Sequence, residues 1–390
     1  MDDVKAEFWG DLQADYYTQT SALYLANQTL ETVLSTNGRK AHKPILSNPT
    51  IRDYTPHQDI TFDQKKAEKQ TLEVDTFPSA AEVIDITEKN QSPYDLLGHS
   101  SKAIREGLIN RTEQIFISKI ADAEHVVNGG TYFALDTTNI YDVFEEADGT
   151  LGAFDIPTNT DARVAVLGPR TVALLRKARS QRETPLGDQV SSNGVIGPWK
   201  GWTIVQNNNL PWTATLAMAT QPTAGDDWTI LGRKIEFVAS LTGANPGSVL
   251  RGADAAAAQA NFVALINGAA GAGTTYVEFD AVAAFMIRNK RKITAASDST
   301  NVVLSGFGDI VVKENMTAAG NVVSVQRQDS VFMMRGAIDL VMQFMDLKIG
   351  DKEKGFADLP KGIIGVGARA FQDGALAMVR TPQDVLGWSY

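Results

Sequence analysis

Asp59-Ile60-Thr61-Phe62-Asp63-Gln64-Lys65-Lys66-Ala67-Glu68-Lys69-Gln70-Thr71-Leu72-Glu73-Val74-Asp75 is the passage on which the fold turns. Ile60 and Phe62 stand before a stretch of mixed charge, and Leu72 and Val74 after it. With Ile51 and Tyr54 upstream, these residues fall in the short period-two patterns of strands. Two extended arms joined by the charged stretch 63–70 predict a long hairpin over residues 49–83. The arms carry too few apolar side chains to build a core, and a lone two-stranded ribbon is marginal in water. Such a ribbon has to project from the body and lie upon something else. A solvated charged loop is the alternative reading of the same residues.

Upstream, residues 1–48 read as an arm. Phe8, Trp9, Leu12, Tyr16 and Leu23 can share one helical face, but Asn37-Gly38 and Pro44 interrupt it before a core can form. Exposed Trp and Phe are costly to leave in water. The arm therefore reads as a segment that packs on a second subunit, with a frayed terminus as the plainer alternative. Downstream, Ser92-Pro93 is a helix start signal, and Leu97, Ile104, Leu108, Ile115, Phe116 and Ile120 recur at helical spacing. The pattern runs to Val127 and meets a stop at Asn128-Gly129-Gly130. About 35 helical residues reach roughly 50 Å, the length of a spine.

The pattern then turns α/β, with a helix over 138–146, a strand over 163–167, a basic helix over 169–179 and a strand over 202–205. A composition shift at Trp212 opens a stretch rich in Ala, Gly, Thr and Val that reaches about residue 318. Strands are predicted at 214–219, 228–230, 235–239, 275–279, 292–295, 302–305 and 310–313, with a helix over 253–266, enough for a small domain of its own. Beyond it, 330–341 has strand-like content. Residues 362–379 read as a glycine-rich strand pair around Gln372-Asp373-Gly374.

Composition narrows the function classes. The chain has 390 residues, 43% hydrophobic and 21% charged, which predicts a folded protein of two or three domains. It has no cysteine, which excludes disulfides, thiolate metal sites and cysteine nucleophiles, and its four histidines make a His-rich metal centre improbable. A net charge of −10 argues against a protein whose main task is gripping nucleic acid, though not against a shell that encloses it. The N-terminus lacks the pattern of a secretory signal, and no stretch of about 20 apolar residues predicts a membrane span. The expectation is a soluble protein made inside a cell.

No phosphate-binding loop, nucleophile elbow, H-E-x-x-H pair or EF-hand loop occurs, and Gly362-Ile363-Ile364-Gly365-Val366-Gly367 has the wrong spacing for a dinucleotide fingerprint. Asp122, Glu124 and His125 read as solvated polar residues rather than a metal site. Arg176-Lys177-Ala178-Arg179 with Arg182 reads as a solvated helix end rather than a polyanion contact. No catalytic residue, cofactor or metal is expected.

The order of parts resembles the major capsid protein of tailed bacteriophages, the Hong Kong 97-type α+β fold. The resemblance is carried by Pro49–Tyr54, Asp59–Asp63 and Lys69–Asp75, and by the helix expected from Tyr94 to Val127. It continues through Gly201-Trp202-Thr203-Ile204-Val205 with Asn207-Asn208-Asn209-Leu210-Pro211, then Ser330–Ile338 and Gly365–Met378. Residues 222–317 are similar to a module of phage virion proteins. The resemblance implies an N-terminal arm (1–48), an E-loop hairpin (49–83) and a peripheral domain with the spine helix (84–130). It further implies an axial domain (131–211), an inserted β-rich domain (212–318) and return strands (319–390). It also implies self-assembly as hexamers and pentamers into an icosahedral virion shell, formed in a host bacterium's cytoplasm around non-specifically held double-stranded DNA.

Portal and decoration proteins, and a scaffolding protein encoded separately, are the further partners so implied, with no membrane. Inter-subunit contacts are expected at Phe8, Trp9 and Tyr16 of the arm and at Ile60, Phe62, Lys65, Lys66, Lys69, Leu72 and Val74 of the hairpin. The three lysines are crosslinking candidates by position only. The alternatives are an encapsulin-type compartment shell and a phage tail structural protein.

Overall fold

The computed structural model describes residues 22–30, 38–46, 49–54, 59, 62–92, 94–130, 135–153, 156, 162–181, 198–298, 300–351, 356–371 and 373–382. The first strands are β1 (Lys40–Leu46), β2 (Ala67–Glu73), β3 (Ser79–Ala81), β4 (Ile84–Asp85), β5 (His125–Val126), β6 (Arg163–Leu167) and β7 (Thr203–Gln206). Next come β8 (Pro211–Met218), β9 (Asp227–Ile230), β10 (Arg233–Val238), β11 (Val249–Leu250), β12 (Thr294–Ser297), β13 (Asn301–Phe307) and β14 (Val312–Asn315). The last are β15 (Asn321–Met334), β16 (Ile338–Asp351), β17 (Ala357–Ala370) and β18 (Leu376–Pro382). The helices are α1 (Ile86–Gln91), α2 (Leu96–Ser118), α3 (Ile140–Gly152), α4 (Pro169–Ser180), α5 (Ala255–Asn267) and α6 (Ala281–Ala284), which runs on as the π turn Phe285–Lys290. Two compact units divide the described residues: one holds 25–119 and 336–371, the other 22–24, 120–335 and 373–382.

In the first unit β16 and β17 form a long antiparallel pair with a bulge between Met342 and Met345, and β17 also pairs with β3 and β4. Along β17, Pro360, Gly362 and Ile364 are buried while Lys361 and Ile363 face out, the alternation of a sheet covered on one side. Helix α2 packs against β17. It buries Ser100, Ile104, Leu108, Thr112 and Phe116, a stripe at four-residue spacing. Its cap is Asp95, whose carboxylate accepts from the Gly98 amide at 3.0 Å. Ser92, expected to open this helix, instead closes α1.

The long helix is shorter than expected. Helix α2 stops at Ser118, the chain tightens into a 3₁₀ turn over Lys119–Asp122, and β5 pairs with β18. Asn128 and Gly129, the expected stop, lie beyond that break with φ of 55° and 56°. At 1.5 Å per residue, α2 spans roughly 35 Å rather than 50 Å.

In the second unit β15 is the axis of an eight-stranded sheet. Its first half, 321–328, pairs with β8, and β8 leads on to β13 and β12. Its second half pairs with β18 on one side and β6 on the other, and β6 leads on to β7. Strand β6 is buried throughout, as a parallel-paired inner strand should be. Two cores flank this axis. Phe332 of β15 meets Phe144 and Trp202 edge-on at 5.1 and 5.0 Å, in a cluster with Val172, Leu175 and Val379. The other core gathers Trp212, Leu216, Trp228, Phe237, Phe262 and Leu304.

That second core joins the eight-stranded sheet to a four-stranded one, β11-β10-β9-β14, and to α5. Helix α5 is capped by Asp254 and ends at Gly268, whose φ of 65° suits only glycine without strain. Gln326 of β15 locks the two sheets: its side chain accepts from the Val312 amide and donates to the Val312 carbonyl, both at 2.7 Å. The segment 212–318 therefore shares its sheet with β15 rather than standing apart. No strand forms over 275–279, where Tyr276 makes only isolated bridges. The strand-like 330–341 spans the end of β15, a turn at Gly336, and the start of β16. The expected pair across 362–379 is divided, since β17 joins the first unit's sheet and β18 the second's.

Candidate assembly surface

The ribbon of the first unit is built from β1 and β2, in register from Lys40 opposite Glu73 to Leu46 opposite Ala67. Its ascending strand is thus 40–46, not the 49–62 stretch the periodicity predicts. The described residues between the strands, 49–54, 59 and 62–66, are neither helix nor strand. At the neck, the Val74 amide donates to the Arg39 carbonyl at 2.9 Å, and the Arg39 guanidinium returns two bonds to the Val74 carbonyl at 3.2 Å. Lys40 and Glu73 pair across the ribbon at 3.0 Å.

The base is seated on the unit's own body. Leu72 and Val74, 1% and 0% exposed, pack with Ala41, Val341 and Phe371. The Arg369 guanidinium donates to the Thr71 carbonyl at 2.5 Å, and the Gln343 amide to the Gly38 carbonyl at 3.0 Å. A Cβ at Gly367 of β17 would sit 2.5 Å from the Glu73 carbonyl oxygen, so glycine is what lets the two backbones approach. This corrects the expectation for Leu72 and Val74. Both face inward to a core of the same chain and are not available to a neighbour in this arrangement.

The loop differs. Asp63 accepts from the Thr50 amide and from the Arg52 guanidinium, each at 2.8 Å, which closes it across thirteen residues. These bonds, the Arg52 bond foremost, hold the Asp63 carboxyl down to about 2. Around this clasp the apolar side chains point to solvent: Ile51 is 93% exposed, Phe62 89% and Tyr54 65%. Lys65 and Lys66 are exposed in the same loop, and Lys69 is exposed on β2. Ile51 and Phe62, each next to a residue of the clasp, are thus brought to the same part of the loop and left in water.

Of the expected contact residues, then, Phe62, Lys65 and Lys66 lie exposed before β2, Lys69 is exposed on β2 itself, and Leu72 and Val74 enter the base. Phe8, Trp9, Tyr16 and Ile60 lie outside the described residues. Ile51 and Tyr54 belong to the exposed group although they read as strand residues. The signal for a loop was the pair of prolines, Pro49 and Pro56, that bracket them. The basic cluster is divided: Arg176 and Lys177 are exposed, Arg179 is buried with its guanidinium 5.3 Å from the Trp199 ring, and Arg182 lies outside the described residues. Among the described residues no group of His, Asp and Glu could hold a metal ion, and no helix is long and apolar enough to cross a membrane.

No protein-family model and no curated protein matches the chain. Solved structures do. A chain from Mycobacterium phage Che8 superposes with a TM-score of 0.57 at 14% identity, over 93% of this chain and 92% of that one. A chain of the capsid of the cyanophage P-SCSP1u superposes with a TM-score of 0.50 at 10% identity, over 94% of this chain and 89% of that one. The overall α+β fold is shared with these phage structures along nearly the whole length of each.

Proposed function

We propose that the chain is the major capsid protein of a tailed double-stranded DNA bacteriophage, of the Hong Kong 97 type. Copies associate as hexamers and pentamers and close into an icosahedral shell around the genome. The observation that carries this reading is the contrast within the ribbon: a base buried in its own unit, and a loop ordered by Asp63 that leaves Ile51, Tyr54 and Phe62 in water. A fold shared with a cyanophage capsid chain supports it. Burying a Phe or Ile side chain stabilises by about 1.5–3 kcal/mol. Repeated over many neighbours, contacts of that size suffice to close a shell.

The ribbon corresponds to the E-loop of that fold and α2 to its spine. The virion is the protein's site of action, the host bacterial cytoplasm its place of assembly, and separate scaffolding, portal and decoration proteins its further partners. The test is to replace residues 50–64 with a short Gly-Ser linker and image the purified chain by negative stain. The variant should remain a soluble subunit that forms no shells, while the parent chain forms closed ones. Normal particles from the variant, or tubes or dispersed monomers from the parent under assembly conditions, would overturn the reading.

A further inference from the structure

The ribbon's seat contains a lopsided ion pair. Asp339, on β16, is buried, with its side chain 1% exposed. The cation that reaches it is Lys43 of β1, whose ammonium lies 3.3 Å from Oδ2 and whose side chain is 37% exposed. A charge-assisted N–H···O bond is ordinarily about 2.7–2.9 Å. The lysine is also drawn toward the Phe371 ring, 5.1 Å from its centroid.

The other groups facing Asp339 do little to neutralise it. Arg369 is its cross-strand neighbour on β17 but directs its guanidinium to the Thr71 carbonyl. From the remaining flank comes Asn27, whose backbone bonds the Ile338 carbonyl and the Leu340 amide at 3.0 Å each and whose amide side chain favours the carboxylate by hydrogen bonding but brings no charge. The acid is thus buried, the base about a third exposed, and the bond between them long. Removing a carboxylate from water costs several kcal/mol, recovered only when pairing geometry is excellent. Burial accordingly outweighs Lys43 and raises the Asp339 carboxyl above its ordinary range.

We propose that Asp339 is a spring under the ribbon: a buried carboxylate that Lys43 compensates incompletely, so that β1 and β2 are held on their seat less firmly than a neutral side chain would hold them. The body offers a preformed seat of Leu72, Val74, Val341 and Phe371, which favours docking, and a charge that opposes it. Lifting the ribbon returns both charged heads to water, and a two-stranded ribbon off its seat is marginal, so its amides open to exchange. A projection that has to adjust its angle to whatever grips its loop is served by such a balance. The inference itself concerns the single chain and does not require shell formation.

Amide hydrogen exchange on the full, unassembled chain tests it, with ribbon amides 67–74 as the reporter and β8 and β13 as the internal reference. Asp339→Asn keeps the shape and one acceptor oxygen for Lys43 and removes the charge. It should slow ribbon exchange by about 10-fold. Lys43→Met strands the carboxylate and should speed it by about 100-fold. The pair Lys43→Met with Asp339→Leu removes both charges and should match the parent chain or exchange more slowly. A salt bridge that simply stabilises the ribbon gives the opposite result, with Asp339→Asn and the double variant both exchanging faster than the parent chain. Either of those two outcomes overturns the proposal, and the double variant decides alone if Asp339→Asn does not fold.

Discussion

Phe62→Ala and Leu72→Ala separate the two ends of the ribbon, ten residues apart on one hairpin. Leu72 is 1% exposed among Ala41, Val74, Val341 and Phe371. Truncating a buried leucine costs about 2–5 kcal/mol, the lower part of that range where the site can collapse. This small cluster can, so roughly 2–3 kcal/mol of subunit stability should be lost. Phe62 is 89% exposed and has nothing of its own chain to lose, so its truncation should leave subunit stability unchanged within about 0.5 kcal/mol. Its effect should fall on assembly. If each subunit buries one Phe62 against a neighbour, losing about 2 kcal/mol per copy raises the critical concentration for particle formation about 30-fold.

Denaturant unfolding of the unassembled chain and sedimentation of particles across a concentration series read the two quantities independently. The reasoning fails if Phe62→Ala unfolds more than 1 kcal/mol too easily, because the ring would then be packed in its own subunit. It fails equally if the critical concentration stays within a factor of two of the parent's.

Two further outcomes follow from local geometry. The Asp63 carboxyl is held from 3.8 down to about 2 by Arg52 and Thr50, so the clasp is favoured at every pH above 3.8 and is lost only as pH falls through about 2; an NMR titration of that carboxyl should show the low midpoint, and Arg52→Gln should move it back toward 3.8. Trp228 is fully buried and meets Phe262 and Phe237 edge-on at 5.1 and 5.8 Å. Trp228→Ala should cost about 3–5 kcal/mol and expose the β8–β14 amides to exchange, while leaving the β16–β17 amides protected.

What could be read from the sequence was governed by how local its cause was. Helix α5 announces itself through Asp254, an apolar stripe and Gly268, and α4 through Gly168-Pro169, because caps and periodicity act within a few residues. The end of α2 is not local. Its apolar pattern continues to Val127, but the chain leaves the helix so that His125 and Val126 can pair with Ala377 and Met378, some 250 residues away. Strand β1 went unrecognised because Lys40-Ala41-His42-Lys43-Pro44 contains a proline and a single small apolar residue that reaches the core.

The loop surface was half visible. Alternation around Phe62 placed the first strand at 49–62, whereas the strand that pairs with β2 is 40–46. It could not distinguish residues facing a body from residues facing water, so Leu72 and Ile51 looked alike. The split of 362–379 between two sheets is of the same kind. A glycine-rich turn between two apolar runs favours a hairpin locally, and only long-range pairing with β16 and β15 draws the strands apart.

Strand β15 belongs at once to both cores of its unit, with Gln326 at one end bonded to β14 and Phe332 at the other wedged between Phe144 and Trp202. The segment 212–318 is consequently not a bead that evolution or an engineer could unclip. Excising it would strip residues 321–328 of their β8 partner and leave an open edge ready to seize any passing strand. Foreign sequence is better carried by the reverse turn of α5 at Gly268 or the bend at Gly243, which lie off that shared rod.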